Sequence, residues 1–194
     1  MNRLVEKGLT TRHRILSAAT RLFTDKGYEQ TSIEALLDEL GISRGALYHH
    51  FSSKEAIFEA VFEAVEADIA RAIVGATRGV ADPAVALRTG CDAFLRIAGD
   101  ETVRRIALID APAALGWQKW REIDARHGFG LLKASLKAAA ASGRLRADLV
   151  DAYAHILLAA LMETALVIAT RNTAAASRNG RAAVRELIER LLGM

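Results

Sequence analysis

Apolar side chains recur at helical spacing along almost the whole chain, and the pattern is sharpest between residues 31 and 55. Thr31 with Glu34 forms a capping box that predicts the start of a helix. The apolar positions of this helix share one face: Ile33, Leu36, Leu37 and Leu40. Gly41 ends it, because glycine adopts the left-handed conformation at little cost. The segment therefore opens with a short amphipathic helix and a tight turn.

A second short helix follows this turn. Ser43 is its candidate N-cap, and the helix runs to about Phe51. Ser52 with Glu55 then forms another capping box in front of a long apolar-periodic helix. Two short helices joined by a tight turn are the layout of a helix-turn-helix DNA reader.

An earlier helix precedes this pair. Thr10 or Thr11 is its candidate N-cap, and Gly27 is its predicted end. Its apolar positions share a face: Ile15, Ala19, Leu22 and Phe23. Because three short helices bury little area alone, we expect them to share a core with the helix after Ser52.

The second short helix is the one we place in the major groove. Arg44 can offer a bidentate donor to guanine, and Ala46 can contact a thymine methyl group. Gly45 allows the backbone to approach DNA closely. Tyr48 and Lys54 can donate to phosphates.

The residues from Arg12 to Ile57 resemble the DNA-binding domain of the TetR family of transcriptional regulators. The resemblance rests on ILSAATRLF, GY followed by TSI, GISRGALYHHF and SKE, in this order, and covers about a quarter of the chain. It implies DNA contacts at eight positions: Thr31, Ser32, Arg44, Gly45, Tyr48, His49, His50 and Lys54. The motif does not fix which of them read bases, since phosphate contacts position the protein and base contacts specify the sequence.

Charge adds little to this interpretation. The 194 residues carry a formal net charge of +3, and residues 1–55 hold eight Lys or Arg against seven Asp or Glu. The motif, rather than bulk charge, therefore predicts DNA binding. The composition is 52% hydrophobic with two prolines, which excludes disordered and fibrous classes.

The sequence also predicts a cytoplasmic protein without a membrane segment. It shows no secretory signal, and its most apolar run, Ala152–Met162, is interrupted by His155 and ended by Glu163. The single cysteine, Cys91, excludes an intramolecular disulfide and fits a reducing compartment. Cys91 is either a small buried hydrophobe or, less simply, a redox switch.

We predict two domains in an all-α fold of about nine helices: a three-helix helix-turn-helix DNA-binding domain at residues 1–55 and a larger helical bundle for effector binding and dimerisation at residues 56–194. No alternation long enough for a strand occurs. The predicted helices of the bundle are 53–74, 83–98, 101–110, 116–141 with a kink near residues 128 and 130, 148–170 and 181–192.

The stretch Ile106–Gly128 contains the most distinctive motif of the second domain, D-x-P-x-x-L-G-W-x-x-W-R-x-x-D. It resembles the C-terminal domain of one subgroup of TetR-like regulators. Trp117 and Trp120 share a helix face, so they either pack in the core or line an effector pocket. The predicted pocket residues are Phe94, Leu108, Trp117, Trp120, Arg121, Phe129 and Met162. Asp124 and His127 are further polar groups nearby.

The Ala- and Leu-rich run His155–Ala169, with the helix from about Arg181, predicts self-association. The predicted interface is His155, Leu158, Ala159, Met162, Leu166, Leu187 and Leu191. TetR relatives dimerise through their last two helices, and a two-fold axis matches a palindromic operator. The alternative is a single intramolecular core. His155 and Glu163 would either register this interface or anchor a ligand.

These features predict a DNA-binding transcriptional regulator that is not an enzyme and needs no metal or cofactor. Its expected partners are double-stranded DNA, a second copy of the chain and an unknown small-molecule effector. By resemblance, it is a repressor released from a palindromic operator by a small, largely apolar effector. The alternative is a regulator without such an effector, gated by a protein partner or constitutive. The arm Met1–Leu9, with Arg3 and Lys7, either reaches DNA or forms a free tail.

Overall fold

The computed structural model describes residues 3–194, with side chains from Thr10 onward. This part of the chain contains nine α-helices and no strand, which confirms the predicted all-α fold. The α-helices are α1 Arg3–Gln30, α2 Ile33–Leu40, α3 Arg44–His50, α4 Lys54–Thr77, α5 Pro83–Ile97, α6 Ala111–Arg126, α7 Gly128–Ala141, α8 Val150–Arg171 and α9 Ala174–Leu191. A π-helix, Val103–Asp110, precedes α6, and a 3₁₀ turn, Ala147–Leu149, precedes α8.

Serine hydroxyls cap the first helices because the opening N–H groups of a helix have no partner within it. Ser32 accepts from the Ala35 amide at 3.1 Å. Ser43 and Ser53 cap α3 and α4 in the same way. Gly41 adopts the left-handed conformation at the end of α2, with φ of 62°, as predicted.

The prediction that Thr31 caps α2 was wrong by one residue. Thr31 is completely buried, and its hydroxyl donates to the carbonyl oxygens of Gly27 and Leu22 at 2.7 and 3.2 Å. Adjacent Thr and Ser can both cap a helix, and burial decides between them here. Thr31 instead ties the end of α1 to the chain that enters α2.

The start predicted for α1 was also wrong, since this helix begins at Arg3 rather than after Thr10 or Thr11. Gly27 interrupts it with φ of 82° and ψ of 168°, and the last residues turn toward α2. The expectations for the N-terminal arm concern Met1, Asn2 and the side chains of Arg3 and Lys7, which lie outside the described part of the chain.

We call α1–α3 with residues 54–62 of α4 the N-terminal unit. Its centre is aromatic: the Phe58 ring lies 5.0 Å from the Phe23 ring, edge to face, and 4.8 Å from the Tyr28 ring. Leu36 and Leu47 fill the rest and are fully buried. Because Phe58 belongs to this core, side-chain packing is continuous across residue 55, and the domain boundary predicted there stays a prediction.

We call the remainder, from residue 63 onward, the body. Its core lies between α5, α7, α8 and α9. Pro83 occupies the first turn of α5, and Asp82 caps it through the Ala84 and Val85 amides. Gly116, with φ of 75°, interrupts α6, whereas Pro112 is accommodated in its first turn. Residues 111–115, which lie between the predicted helices 101–110 and 116–141, are therefore helical, and the interruption falls at Gly116.

Among the helices that the structure describes, the segment Ala147–Arg171 is long and apolar enough to cross a membrane by length and composition. The expectation that no segment meets this criterion was wrong. One face of α8 packs into the core of the body: Ala154, Leu157, Leu161, Ala165 and Ile168. Packing within the body therefore accounts for part of this apolar character.

Candidate functional site

The helix α3 presents an exposed face on top of a buried anchor. Leu47 is fully buried and holds α3 against the core. Arg44, Gly45 and His49 are exposed, and Tyr48 retains 41% of its accessible surface. Half-buried positions complete the face: Ala46 and His50. A short, firmly anchored helix with an exposed polar face has the shape that a major-groove reader needs.

Arg44 is not free on this surface, because its guanidinium pairs with the Glu34 carboxylate on α2. Both side chains are more than half exposed. Glu34 holds the guanidinium beside α2 in the free protein, so a base or phosphate that binds Arg44 must compete with this carboxylate. Ser32 is exposed at the start of α2, close along the chain to this pair.

Lys54 has a structural role that the sequence did not indicate. Its ammonium donates to the carbonyl oxygens of Tyr28 and Thr31 at 2.8 and 3.0 Å and lies 4.2 Å from the centre of the Tyr28 ring. The predicted DNA contact at Thr31 was wrong, because this side chain has no exposed surface. Lys54 and Thr31 therefore support the N-terminal unit from within.

A cavity of about 200 Å³ lies inside the body, between α4, α5, the π-helix, α6, α7 and α8. Its wall is mainly apolar, as ligand pockets usually are. Four of the predicted pocket residues line it: Phe94, Leu108, Trp120 and Met162. These four residues therefore border one cavity, and their role in effector binding stays a prediction.

Three other predicted pocket residues do not line this cavity. Trp117 is 67% exposed and stacks on Trp120 with ring centres 5.0 Å apart. The Arg121 guanidinium lies 5.7 Å from the Trp117 ring and 5.2 Å from the Phe129 ring. Phe129 packs on the ring of His155. These side chains form an outer cluster with Trp120 and His155.

Two acidic residues line the cavity instead, and neither was in the predicted pocket set. Glu66 is 8% exposed and Asp124 is 6% exposed. Burial, with the nearby charge of Asp124, raises the pKa of Glu66 to about 8. Burial also raises the pKa of Asp124 to about 6, although Arg121, the Phe129 amide and His127 act in the opposite direction.

A sequence signal for Glu66 did exist. This residue stands in the apolar stripe of α4 at helical spacing between Phe62 and Ile69, both buried. A carboxylate at such a position must be neutralised, paired or solvated by a cavity. The sequence alone does not distinguish these outcomes, because the facing residues come from α6 and α7.

Apolar side chains are exposed on the outer surface of α8 and α9, among charged ones. Ile156, Leu166 and Leu187 keep 59%, 36% and 46% of their surface, and Ala159 and His155 are also exposed. Three predicted interface residues lie elsewhere. Leu158 is only 8% exposed, and Leu191 packs against the core of the body. Met162 is half-buried and lines the cavity.

The π-helix joins the two parts of the molecule. Asp110 Oδ2 accepts from the Tyr28 backbone amide at 2.7 Å and lies 3.3 Å from Arg105 Nε. Arg105 also donates to the Lys26 carbonyl at 3.3 Å. The π-helix also contributes Ala107 and Leu108 to the lining of the cavity. A rare helix type thus contacts both α1 and the cavity.

The described side chains offer little to metal or thiol chemistry. No group of three His, Cys, Asp or Glu residues converges there to hold a metal ion. Cys91 is buried, and burial raises the pKa of its thiol to about 12. The thiolate needed for a redox response is therefore strongly disfavoured at this position.

The chain has an exposed second helix after a tight turn, followed by a helical body with an internal cavity. These features define a helix-turn-helix protein with a separate cavity large enough for a small ligand. Over residues 15–61 the sequence matches the family described as "Bacterial regulatory proteins, tetR family". Over residues 84–192 it matches "Tetracyclin repressor-like, C-terminal domain". The chain belongs to the TetR family.

Individual relatives agree with this assignment. The HTH-type transcriptional regulator UidR of Escherichia coli K12 is 41% identical over 61 residues, 31% of each chain. The match thus spans about a third of the curated relative's length. A TetR-family transcriptional regulator from Pectobacterium atrosepticum is 28% identical, with 100% of this chain and 99% of that one covered and a TM-score of 0.80. The TetR family regulator PfmR of Thermus thermophilus is 31% identical over 91% and 97% of the chains, with a TM-score of 0.62.

Proposed function

We propose that the protein is a cytoplasmic, sequence-specific transcriptional repressor without enzymatic activity, released from its DNA site when a small molecule occupies the body cavity. The observation that carries this proposal is the π-helix, because one face of it contacts the N-terminal unit and the other lines the cavity. Family membership supports the regulatory role, and the related UidR is a transcriptional regulator.

DNA reading is assigned to α3 with the start of α2. Arg44, Tyr48 and His49 offer hydrogen-bonding groups on one exposed face, and Ser32 flanks them. Arg44 is the candidate base reader since a guanidinium donates two parallel bonds to guanine. His50 and the small residues Gly45 and Ala46 complete the surface. Lys54 contributes mainly by holding this surface in place.

Dimerisation is assigned to the exposed apolar face of α8 and α9, centred on Ile156, Ala159, Leu166 and Leu187. Isologous pairing of these helices would create a two-fold axis, and a palindromic site presents the same symmetry. Two reading helices also double the number of phosphate contacts, which a single short helix needs for tight binding at physiological salt.

Regulation requires that the effector bind better to a conformation in which the two readers no longer fit one operator. Ala107 and Leu108 place the π-helix against any cavity occupant, and Arg105 and Asp110 carry its displacement to α1. The helix α4 adds a second connection, since it runs from the N-terminal unit to the cavity. A coupling of ~1–3 kcal/mol would lower operator affinity ~5–150-fold.

The proposal is tested by selecting bound duplexes from a random pool with the purified protein. We expect a palindrome whose half-sites are spaced by about one helical turn of DNA or a multiple of it. Gel filtration with light scattering on the same sample should give a dimer, and Leu166→Glu should give a monomer that no longer selects the palindrome. An enriched site without two-fold symmetry, or no enrichment by a folded dimer, would contradict the proposal.

A further inference from the structure

The two acids of the cavity converge on one small space. A Cβ atom placed on Gly128 would lie 3.2 Å from Asp124 Oδ1 and 3.7 Å from Glu66 Oε2. Both carboxyl groups therefore border the gap that the missing side chain of Gly128 leaves at the start of α7. The gap opens on the apolar chamber, since all three residues line it.

The chain compensates only one member of this pair, Asp124, and does so in part. No hydrogen bond or ion pair links Glu66 to another residue in the part of the chain that the structure describes. Asp124 forms an ion pair with Arg121, whose Nη1 lies 3.6 Å from Asp124 Oδ2, although this oxygen is buried without a hydrogen bond. The other titratable groups near the pair are His127 and Cys91. Glu66 is therefore the buried acid without a partner, which is unfavourable until something binds beside it.

The chemistry of the gap selects the kind of molecule that completes it. An anion would be repelled by the Asp124 carboxylate, whereas a neutral apolar molecule would leave Glu66 without a partner. An ammonium group donates up to three hydrogen bonds and compensates a buried negative charge. Phe94 and Trp120, on the walls, add aromatic faces that attract a cation and bury an apolar body.

We propose that the cavity binds a primary amine with an apolar, six- to ten-carbon body, whose ammonium group lies between Glu66 and Asp124 beside Gly128. This inference rests on the proposed function in one respect, namely that the amine would be the effector. The binding site itself does not depend on DNA.

Calorimetric titration of the full-length protein with three probes of matched shape tests the inference: 2-phenylethylamine, 2-phenylethanol and phenylacetate. We expect the amine to bind at least about tenfold more tightly than the alcohol, and phenylacetate more weakly than both. Glu66→Gln should abolish this preference by weakening the amine alone. Gly128→Ala should weaken the amine without removing a charge, because its methyl group fills the gap.

Proton release provides a readout that a purely structural role of Glu66 would not change. Near neutral pH, Glu66 holds a proton in the empty cavity and must give it up to pair with an ammonium. Binding enthalpies measured in buffers of different ionisation enthalpy should therefore show release of up to one proton with the amine and none with the alcohol. The release should disappear in Glu66→Gln.

Glu63→Gln is the matched control, because Glu63 lies one turn earlier on α4 and pairs with Arg126 outside the cavity. It should retain the amine preference. Equal affinities for amine and alcohol, binding of phenylacetate, or an amine affinity unchanged by Glu66→Gln would overturn the inference. So would the absence of binding by every member of an amine series of increasing length. Amine binding that leaves a selected operator occupied would instead refute the effector role and keep the site.

Discussion

The N-terminal unit and the cavity wall of the body bury polar groups in opposite ways. In the N-terminal unit, the buried hydroxyl of Thr31 has two carbonyl partners, and the half-buried ammonium of Lys54 also has two. In the body, Glu66 and Asp124 face a cavity, and Asp124 Oδ2 lacks a hydrogen bond. The contrast indicates that the N-terminal unit has a closed interior and functions through its surface, whereas the body functions through its cavity.

This difference has a thermodynamic consequence. A closed, satisfied core loses stability whenever an atom is removed, because the neighbours collapse only in part. In an open core with an unpaired acid, filling space or removing a charge can raise the free energy of unfolding. The following predictions separate the two regions by the size and sign of their responses.

The largest effect is expected from Phe58→Ala in the N-terminal unit. Phe58 is fully buried and contacts two aromatic rings, so its truncation should lower the free energy of unfolding by ~3–5 kcal/mol. Trp117→Ala, which removes a larger but mostly exposed side chain, should change it by only about 0.5 kcal/mol. Denaturant titration measures both. A loss below about 1 kcal/mol for Phe58→Ala would contradict the closed-core description.

The next effect concerns the pH dependence of the body. Burial raises the pKa of Glu66 from 4.5 to about 8, so over this interval the folded chain keeps a proton that the unfolded chain releases. The free energy of unfolding should therefore fall as pH rises from about 5 to about 8, by at most ~1.4 kcal/mol per pH unit. Glu66→Gln should flatten this decline, which denaturant titrations across the interval will show. A decline of equal slope in the variant would assign it to other groups.

The third prediction concerns the surface of the N-terminal unit. Arg44→Ala should cost ~1–3 kcal/mol on the selected operator and relax the base preference at one position of each half-site. Its stability should hardly change, because the pair with Glu34 is exposed. Binding titrations on operator and single-base variants measure the effect. Arg71→Ala, an exposed arginine of α4 that pairs with Asp68, is the control and should leave both quantities unchanged. Unaltered base preference in Arg44→Ala would remove this residue from base reading.

The smallest effect has the opposite sign and lies in the body. Gly90 is inside α5, and a Cβ there would meet Ile73 and Thr77 methyl groups at ordinary contact distances of 3.4 and 3.5 Å. Gly90→Ala should therefore raise the free energy of unfolding by ~0.5–1 kcal/mol. Gly27→Ala should lower it, because φ there is 82° and the new methyl group would overlap Arg105. Thermal unfolding compares them, and destabilisation by Gly90→Ala would show that the cavity wall is rigid.

Local signals explain why much of the fold was predictable. Caps, glycine stops and apolar spacing within one helix placed α2 and α3 to within a residue, and they also placed Leu36 on a face that is buried. The choice between Thr31 and Ser32 failed because both residues can cap, and only the packing of α1 against α2 buries one of them. Errors of this kind arise wherever two neighbours have equal local propensity.

The cavity was less predictable because its character depends on helices distant in sequence. Trp117 and Trp120 share a helix face and stack on each other, yet packing of the other helices leaves the first ring exposed and buries the second. The apolar stripe of α4 marks Glu66 as unusual, but whether it is paired, neutralised or faces a cavity depends on the positions of α6 and α7. The π-helix Val103–Asp110 carries no residue pattern that distinguishes it from an α-helix, so its role at the junction emerges only from the structure.

The hydrogen bonds between the π-helix and α1 have a consequence for how such regulators diversify. Asp110 and Arg105 bind main-chain atoms of Tyr28 and Lys26, which are present whatever side chains those positions carry. Gly27 is demanded by identity, since its conformation and the nearby guanidinium leave no space for a larger residue. An N-terminal unit with a different recognition helix can thus be exchanged onto the same body, provided that this glycine and the α1 side chains that pack against residues 102–111 are retained. The DNA site and the effector of such a regulator can then change independently.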